Sequence, residues 1–361
     1  MRIWWGNLAI LSRSYSSRLL RAKRLGYNAM RLFFALLQNE CTKLLRRRRP
    51  QLVLVILTAF LGIATWAQYQ KSEIQERESA TAHGNWRTET HDRLDRLDQR
   101  AGRRRIFTGF SRFLRLESVR LRYHLEHNID PTQMTGPAMA RAFALVASAL
   151  LLPLLITVLA SDLVTGENSA GTIKMLLTRP VARWKILGSK VAAMIVFATV
   201  LVSAAAMLSW LIGGVAFGWK GWTAPVFTGF RSSPGGVDLT QVQMVALWLD
   251  TLACYGLVWY ATITVGMIAV AFSVFFRSSV GAMGSLMAVL VAGSLMGQMV
   301  EDWPPAKWSF PTNLALGQFY SGVPPPVTGM TLVHSILVLG VWASVVLCVA
   351  FWVFSRRDVT A

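Results

Sequence analysis

The sequence predicts an all-α, polytopic integral membrane protein with six transmembrane helices and both termini on the cytoplasmic side (N-in/C-in). Three observations predict it. The chain is 53% hydrophobic and only 15% charged, with a mean hydropathy of +0.43, too apolar for a protein that must present a polar surface to water. Its apolar residues are gathered into runs near the length of about 20 residues that crosses about 30 Å of hydrocarbon. Outside the long segment 70–136, its Lys and Arg residues concentrate in alternate connecting segments, as the positive-inside rule requires.

Residues 1–50 hold 12 Lys/Arg against a single acid, Glu40, which assigns this end to the cytoplasm. Within it Met30, Phe33, Phe34, Leu37, Cys41, Leu44 and Leu45 fall on one stripe of a helix. Together with Arg31, Lys43 and the run Arg46-Arg47-Arg48-Arg49, that stripe predicts an amphipathic helix lying in the inner headgroup layer. Residues 1–27, rich in Arg and Ser, have two readings: a surface-binding extension, or sequence upstream of a start at Met30. The first transmembrane helix is predicted at 51–69. It reads as an uncleaved span, because the arginine run leads directly into it.

Residues 70–137 predict an extracytoplasmic helical domain. Between 70 and 136 stand 13 Lys/Arg and 10 Asp/Glu interleaved around Leu94, Leu97, Ile106, Phe107, Phe110, Phe113, Leu116 and Leu121, a pattern of solvated helices with i,i+4 charge pairs. A segment this long crosses the membrane largely regardless of its charge. Substrate recognition and simple capping of the pathway are both open to it. Gly136-Pro137 then breaks the chain before the next span.

Residues 138–361 carry five further transmembrane helices, predicted at 138–160, 188–216, 244–275, 279–299 and 331–354. The connector 161–190 holds five Lys/Arg and falls inside with Arg277 and Arg356-Arg357, whereas the outer loops 217–243 and 300–330 carry only Lys220, Arg231 and Lys307. Loop 300–330 is distinctive. Its Trp303, Trp308, Phe310, Phe319 and Tyr320, punctuated by prolines, suit the membrane–water interface. In the fifth span, Gly293-x-x-x-Gly297 and Gly281-x-x-x-Ser285 are expected to permit close packing.

Several chemistries are excluded by what the chain lacks. A net charge of +19 would mean nucleic acid in a soluble protein, but here the charge tracks membrane sidedness, so no nucleic-acid partner is expected. No Gly-x-x-x-x-Gly-Lys-[Ser/Thr] phosphate loop, His-Glu-x-x-His or Gly-x-Ser-x-Gly is present. The three cysteines, Cys41, Cys254 and Cys348, are scattered, which fits neither a disulfide framework nor a zinc site. No catalytic residue, metal site or cofactor is therefore expected, and the chain is not read as an enzyme. Asp250 is the most polar residue inside a span. An ionisable residue there points to function by default, with two readings: a structural or interfacial role, or contact with a polar or cationic substrate.

The most informative segment is the connector. Glu167 is followed by Gly171-Thr172, by an apolar tip Ile173, Met175, Leu176 and Leu177, by Pro180, and by a basic helix with Arg183, Lys185 and Lys190. Gly171 permits close approach and Thr172 caps the short helix after it. Pro180 disfavours helix at Arg179 and suits the first turn of the next helix, which fixes an elbow. An apolar tip on so short a helix wants a groove on a partner. Arg183, Lys185 and Lys190 are expected to face phospholipid or an acidic partner surface.

In its order of Glu-x-x-x-Gly-Thr, Leu-Leu, Pro-Val-x-Arg and a closing Lys, this segment resembles the connector between the second and third spans of ABC-2 type transporter permeases. Asn39-Glu40-x-x-Lys43-Leu44 resembles the N-terminal interface helix of that family, and Pro311 to Gly317 is similar to one of its short re-entrant helices. The resemblance covers residues 30–361 and implies an ABC-2 (type V exporter-like) permease fold. It further implies ATPase-coupling roles for Glu167, Gly171, Thr172, Leu176, Leu177, Pro180 and Arg183. Two such subunits, identical or paired with a similar permease, would work with cytoplasmic ABC ATPase subunits that bind the ATP, usually for export across a bacterial plasma membrane. The competing class is a membrane scaffold or sensor that signals through its extracytoplasmic domain without transport.

Overall fold

Where no water reaches the backbone, each N–H and C=O must be bonded within its own segment, and each long apolar run of the chain is helix. The computed structural model describes residues 31–81, 86–101, 108–130, 134–147, 149–169, 182–229, 231–233, 236–238, 242–299, 303–321, 323, 327 and 330–356. Among these residues, five helices are long and apolar enough to cross a membrane, or six if one bent pair counts as a single span. The protein is thus a multi-pass, mainly helical membrane protein.

Helix α1 covers residues 31–46. Its stripe divides in two: Leu37 and Cys41 pack against the bundle and Leu44 is buried, while Phe34 and Leu45 stay exposed. Helix α2, Arg49–Thr81, has 33 residues, which at about 1.5 Å each is well beyond a bilayer core, so it projects past the expected boundary at 69. Val53, Leu57 and Leu61 are its buried residues, with Thr65 continuing the line. Four residues apart, they form one narrow seam. Much of the described remainder, including Val55, Ile63 and Trp66, is exposed, as suits contact with lipid.

Helices α3 (Trp86–Ala101) and α4 (Thr108–Glu126) form a pair in which Leu94, Leu114 and Leu121 are buried. Arg122–Asp98 at 2.7 Å and Arg93–Glu117 at 3.3 Å join them at the surface. Helix α4 ends where Asn128 takes φ 59°, the left-handed conformation that Asn tolerates best after glycine.

The second apolar run is not one helix. Helices α5 (Gly136–Ala147) and α6 (Leu151–Ala160) are separated by a break, and the bent pair turns by 64°, so the span expected at 138–160 is a bent pair of helices and not one straight helix. Pro153 stands in the first turn of α6, where a missing N–H has no intrahelical acceptor to lose. Helix α7, Asp162–Ser169, follows at once. Helix α8, Arg183–Phe217, packs on α5 with almost no space between them. A Cβ at Gly136 would stand 2.7 Å from the Gly214 backbone, and the Gly136 N–H donates to the Gly218 carbonyl at 3.0 Å.

The loop expected at 217–243 contains strands. Strand β1 (Pro225–Thr228) pairs antiparallel with β4 (Gln243–Ala246), and β2 (Arg231–Ser233) with β3 (Gly236–Asp238). The two pairs are nested in sequence, hereafter the hairpin, a small β addition to a mostly helical protein. Its Phe227 is buried against Tyr123 and Ile129.

Helix α9, Leu247–Phe275, is the central post, buried over most of its length against α5, α6, α8, α10 (Ser279–Met299), α11 (Leu316–Tyr320) and α12 (Leu332–Arg356). Its Thr251 and Thr262 bond back to the carbonyls of Leu247 and Val258 at 2.7 Å, so buried hydroxyls need no partner helix. Before α11, one-turn 3-10 segments lie at Pro304–Trp308 and Pro311–Asn313. The close approach expected of Gly293 is made by Pro311, whose Cγ would lie 2.6 Å from a Cβ there. The glycine therefore seats the 3-10 segment at Pro311 and not another long helix.

Candidate functional site

The contacts sort the connecting segments to two ends of the bundle. One end gathers α1, the start of α2, α7, the start of α8 and the start of α10, through pairs such as Arg49 Nη2 to Ser279 Oγ at 3.4 Å. The other gathers α4, the start of α5, the end of α8, the hairpin, the start of α9 and α11.

At the first end four charged side chains close a ring. Glu40 and Lys43 come from α1, Glu167 from α7 and Lys190 from α8. Lys43 Nζ donates to Glu40 Oε1 and to Glu167 Oε1, both at 2.8 Å. Lys190 Nζ donates to Glu40 Oε2 at 2.9 Å and to the Leu163 carbonyl at 2.8 Å, and pairs with Glu167 Oε2 at 2.9 Å. Two ammonium protons of Lys190 are thereby hydrogen-bonded, and Glu167 adds an ion pair. Charge balances at two positive and two negative. Three of its members are buried, Lys190 at 1% exposed, Glu40 at 5% and Glu167 at 6%, while the half-buried Lys43 closes the ring at the surface. Burial by itself would lower the pKa of Lys43, but hydrogen bonds and charge from Glu167 and Glu40 raise it above its ordinary value.

A second cluster lies beside the ring. Asp162, at the start of α7, pairs with Arg47 and, at 3.4 Å, with Arg49. The arginine run, which sequence reasoning treated as a signal of sidedness and of headgroup contact, thus supplies specific ion pairs to the helix that opens the connector.

The two ends of the connector are therefore fixed by one set of charges, Glu167 on the entering side and Lys190 on the leaving side. Gly171, Thr172, Leu176, Leu177 and Pro180 lie outside the described residues. Lys190 does not face phospholipid or a partner as expected. Its position one turn inside the buried face of α8, beside Ile186, Leu187, Ala193 and Met194, turns it into the core. Arg183 donates through Nη1 to the Ser355 carbonyl at 3.0 Å, tying the start of α8 to the end of α12. Lys185 lies over the Trp184 ring at 5.5 Å.

Asp250 lies at the opposite end and is fully buried in the first turn of α9, where the helix dipole favours an acid. It is ion-paired to Arg141 of α5, and Cys254 Sγ lies 3.9 Å from its Oδ2. Sequence reasoning missed Arg141, the counter-charge, which stands near the start of an apolar run with no acid near it in sequence. Arg120 of α4 comes to the same place, donating through Nη2 to the Ser321 carbonyl at 3.0 Å. Burial, and then the neighbouring Arg141, hold its pKa below the usual arginine value.

Among the described residues no group of three or more His, Cys, Asp or Glu side chains is placed to hold a metal ion.

Comparison with known proteins agrees with the membrane reading. The family described as protein of unknown function (DUF2705) matches residues 107–360, a stretch that includes Arg120, Arg141, Asp162, Glu167, Lys190 and Asp250. The chain is similar to the uncharacterized protein YhcI of Bacillus subtilis, at 28% identity over 240 residues, 66% of this chain and 74% of that one. It is also similar to the uncharacterized membrane protein YdbK of the same organism, at 29% identity over 212 residues, 58% of this chain and 78% of that one.

Proposed function

We propose that this chain, which belongs to the DUF2705 family, is the permease subunit of an ATP-binding cassette exporter in a cell membrane, driven by a separate cytoplasmic ATPase. The order of residues in the connector supports this reading, and one structural observation carries it furthest. The ring of Glu40, Lys43, Glu167 and Lys190 fastens both ends of the connector to the interface helix and to the bundle. A push on the connector then cannot be absorbed as local slack. It passes through Glu167 into α7 and the bent α5–α6 pair, and through Lys190 into α8. Both lie against the central α9. The chain's part in transport is thus to transmit motion, and ATP chemistry belongs to its partner.

The test is association and coupling. The chain is purified from native membranes in mild detergent, and co-purifying proteins are identified by mass spectrometry. A stoichiometric nucleotide-binding subunit whose ATP hydrolysis rises in nanodiscs with the permease is expected. Recovery of the chain with no such subunit would overturn the proposal. The scaffold or sensor alternative rests on the α3–α4 pair, and it predicts intact physiology with a hydrolysis-dead ATPase, where the transport reading predicts lost export.

Orientation is checked separately. In a background without native cysteines, Lys220→Cys in the exposed turn before the hairpin labels with an impermeant maleimide in intact cells. Ser278→Cys, between α9 and α10, labels only after permeabilisation. The reverse pattern would place the ring on the outside and remove any access for an ATPase.

A further inference from the structure

The α3–α4 pair has no role in the coupling just described, yet it reaches the membrane bundle at a specific point. Arg120 leaves α4 and donates to the Ser321 carbonyl, directly after the last residue of α11. Carbonyls at a helix end have no intrahelical donor, and a cation there is favoured. Ser321 is 1% exposed, so this contact is shielded from competing water. Helix α11 is otherwise held by Gln318, whose Nε2 donates to the Leu145 carbonyl of α5 at 3.1 Å, and by packing on α9 and α12. Immediately beneath, Arg141 and Asp250 join α5 to α9. One turn deeper on α9 lies Cys254, 0% exposed.

Four elements therefore meet at one mouth of the bundle, and the only one of them outside the spans and their re-entrant segment is α4. We propose that the α3–α4 pair is a latch on the outer closure, with Arg120 as the positioning residue that holds α11 down over the α5–α9 contact. The latch gives the extracytoplasmic domain a mechanical duty, so it is not simply a separate receptor. In the transport cycle proposed above, opening toward the outside requires Arg120 to leave Ser321. The inference rests on that reading for its role in a cycle, but the latch itself is measurable without transport.

Cys254 is a built-in reporter. With Cys41→Ser and Cys348→Ser it becomes the single thiol of the chain, and in nanodiscs both membrane faces are open to an impermeant thiol reagent. In the Arg120-intact protein Cys254 reacts slowly. Loss of a charge-assisted hydrogen bond shifts an opening equilibrium by about tenfold or more, so Arg120→Ala and Arg120→Gln should speed labelling by about that factor. Arg120→Lys, which keeps a cation in reach, should restore much of the protection. Arg122→Ala breaks the exposed pair with Asp98 on the same helix and should leave the rate unchanged.

Protection of Cys254 in Arg120→Ala equal to that of the parent overturns the latch. Equal acceleration by Arg122→Ala also overturns it, because the effect would then be general loosening of α4. If no ATPase associates with the chain but Arg120→Ala still exposes Cys254, the transporter reading fails and the latch stands.

Discussion

If the chain works with an ATPase as proposed, replacing Leu176 and Leu177 with Asp is expected to separate the two while leaving membrane insertion intact. Neither residue lies in a predicted span, so the bundle keeps its apolar surface. The tip they form is expected to fill a groove on the partner, and an uncompensated carboxylate buried there costs several kcal/mol. At about 1.4 kcal/mol per tenfold change in an equilibrium constant, association falls by about two orders of magnitude or more. Gly171→Val acts more mildly, by preventing close backbone approach. The measurement is co-purification of the ATPase followed by ATP hydrolysis in nanodiscs. Retained complex and retained coupling in the double Asp variant would reduce the connector to an ordinary basic loop.

A comparably large effect is expected inside the ring. Lys190→Met leaves Glu40 and Glu167 facing only Lys43, with one buried negative charge in excess. Breaking a buried ion pair from one side typically costs about 3–5 kcal/mol, so the thermal unfolding midpoint in detergent should fall by several degrees and yield should drop. Adding Glu40→Gln removes the excess charge and leaves Lys43 paired with Glu167. The double variant should therefore be more stable than Lys190→Met alone, a coupling that a double-mutant cycle reads directly. Additive losses in the two variants would mean that the four side chains do not act as a unit.

The connector's signals are local in the sequence, and Gly171 to Pro180 lie outside the described residues. Glycine, proline and a charged residue at fixed spacings specify turns and helix starts without reference to the rest of the chain. The ring was not legible. Glu40 and Lys190 are 150 positions apart, and nothing local distinguishes a lysine that will be buried from one that will meet lipid. The same holds for Arg141 and Asp250, separated by 109 positions. The hairpin at 225–246 was missed for a different reason: its strands are three or four residues long, too short for an alternating pattern to stand out in a loop.

The sequence by itself determined that this chain lives in a membrane, about where its helices run, and which segments are basic. Apolar length and charge asymmetry are sums over consecutive residues, and the bilayer converts them into helices and sidedness whatever the helices later touch. Tertiary structure decided the rest. It broke the second span above Pro153 and turned Lys190 inward to meet Glu40 and Glu167. It gave Asp250 its counter-charge and brought Arg120 from outside the spans onto α11. Each of these depends on which helix becomes whose neighbour. That is fixed by packing at positions such as Gly136 on Gly214 and by the requirement that every buried charge find an opposite one.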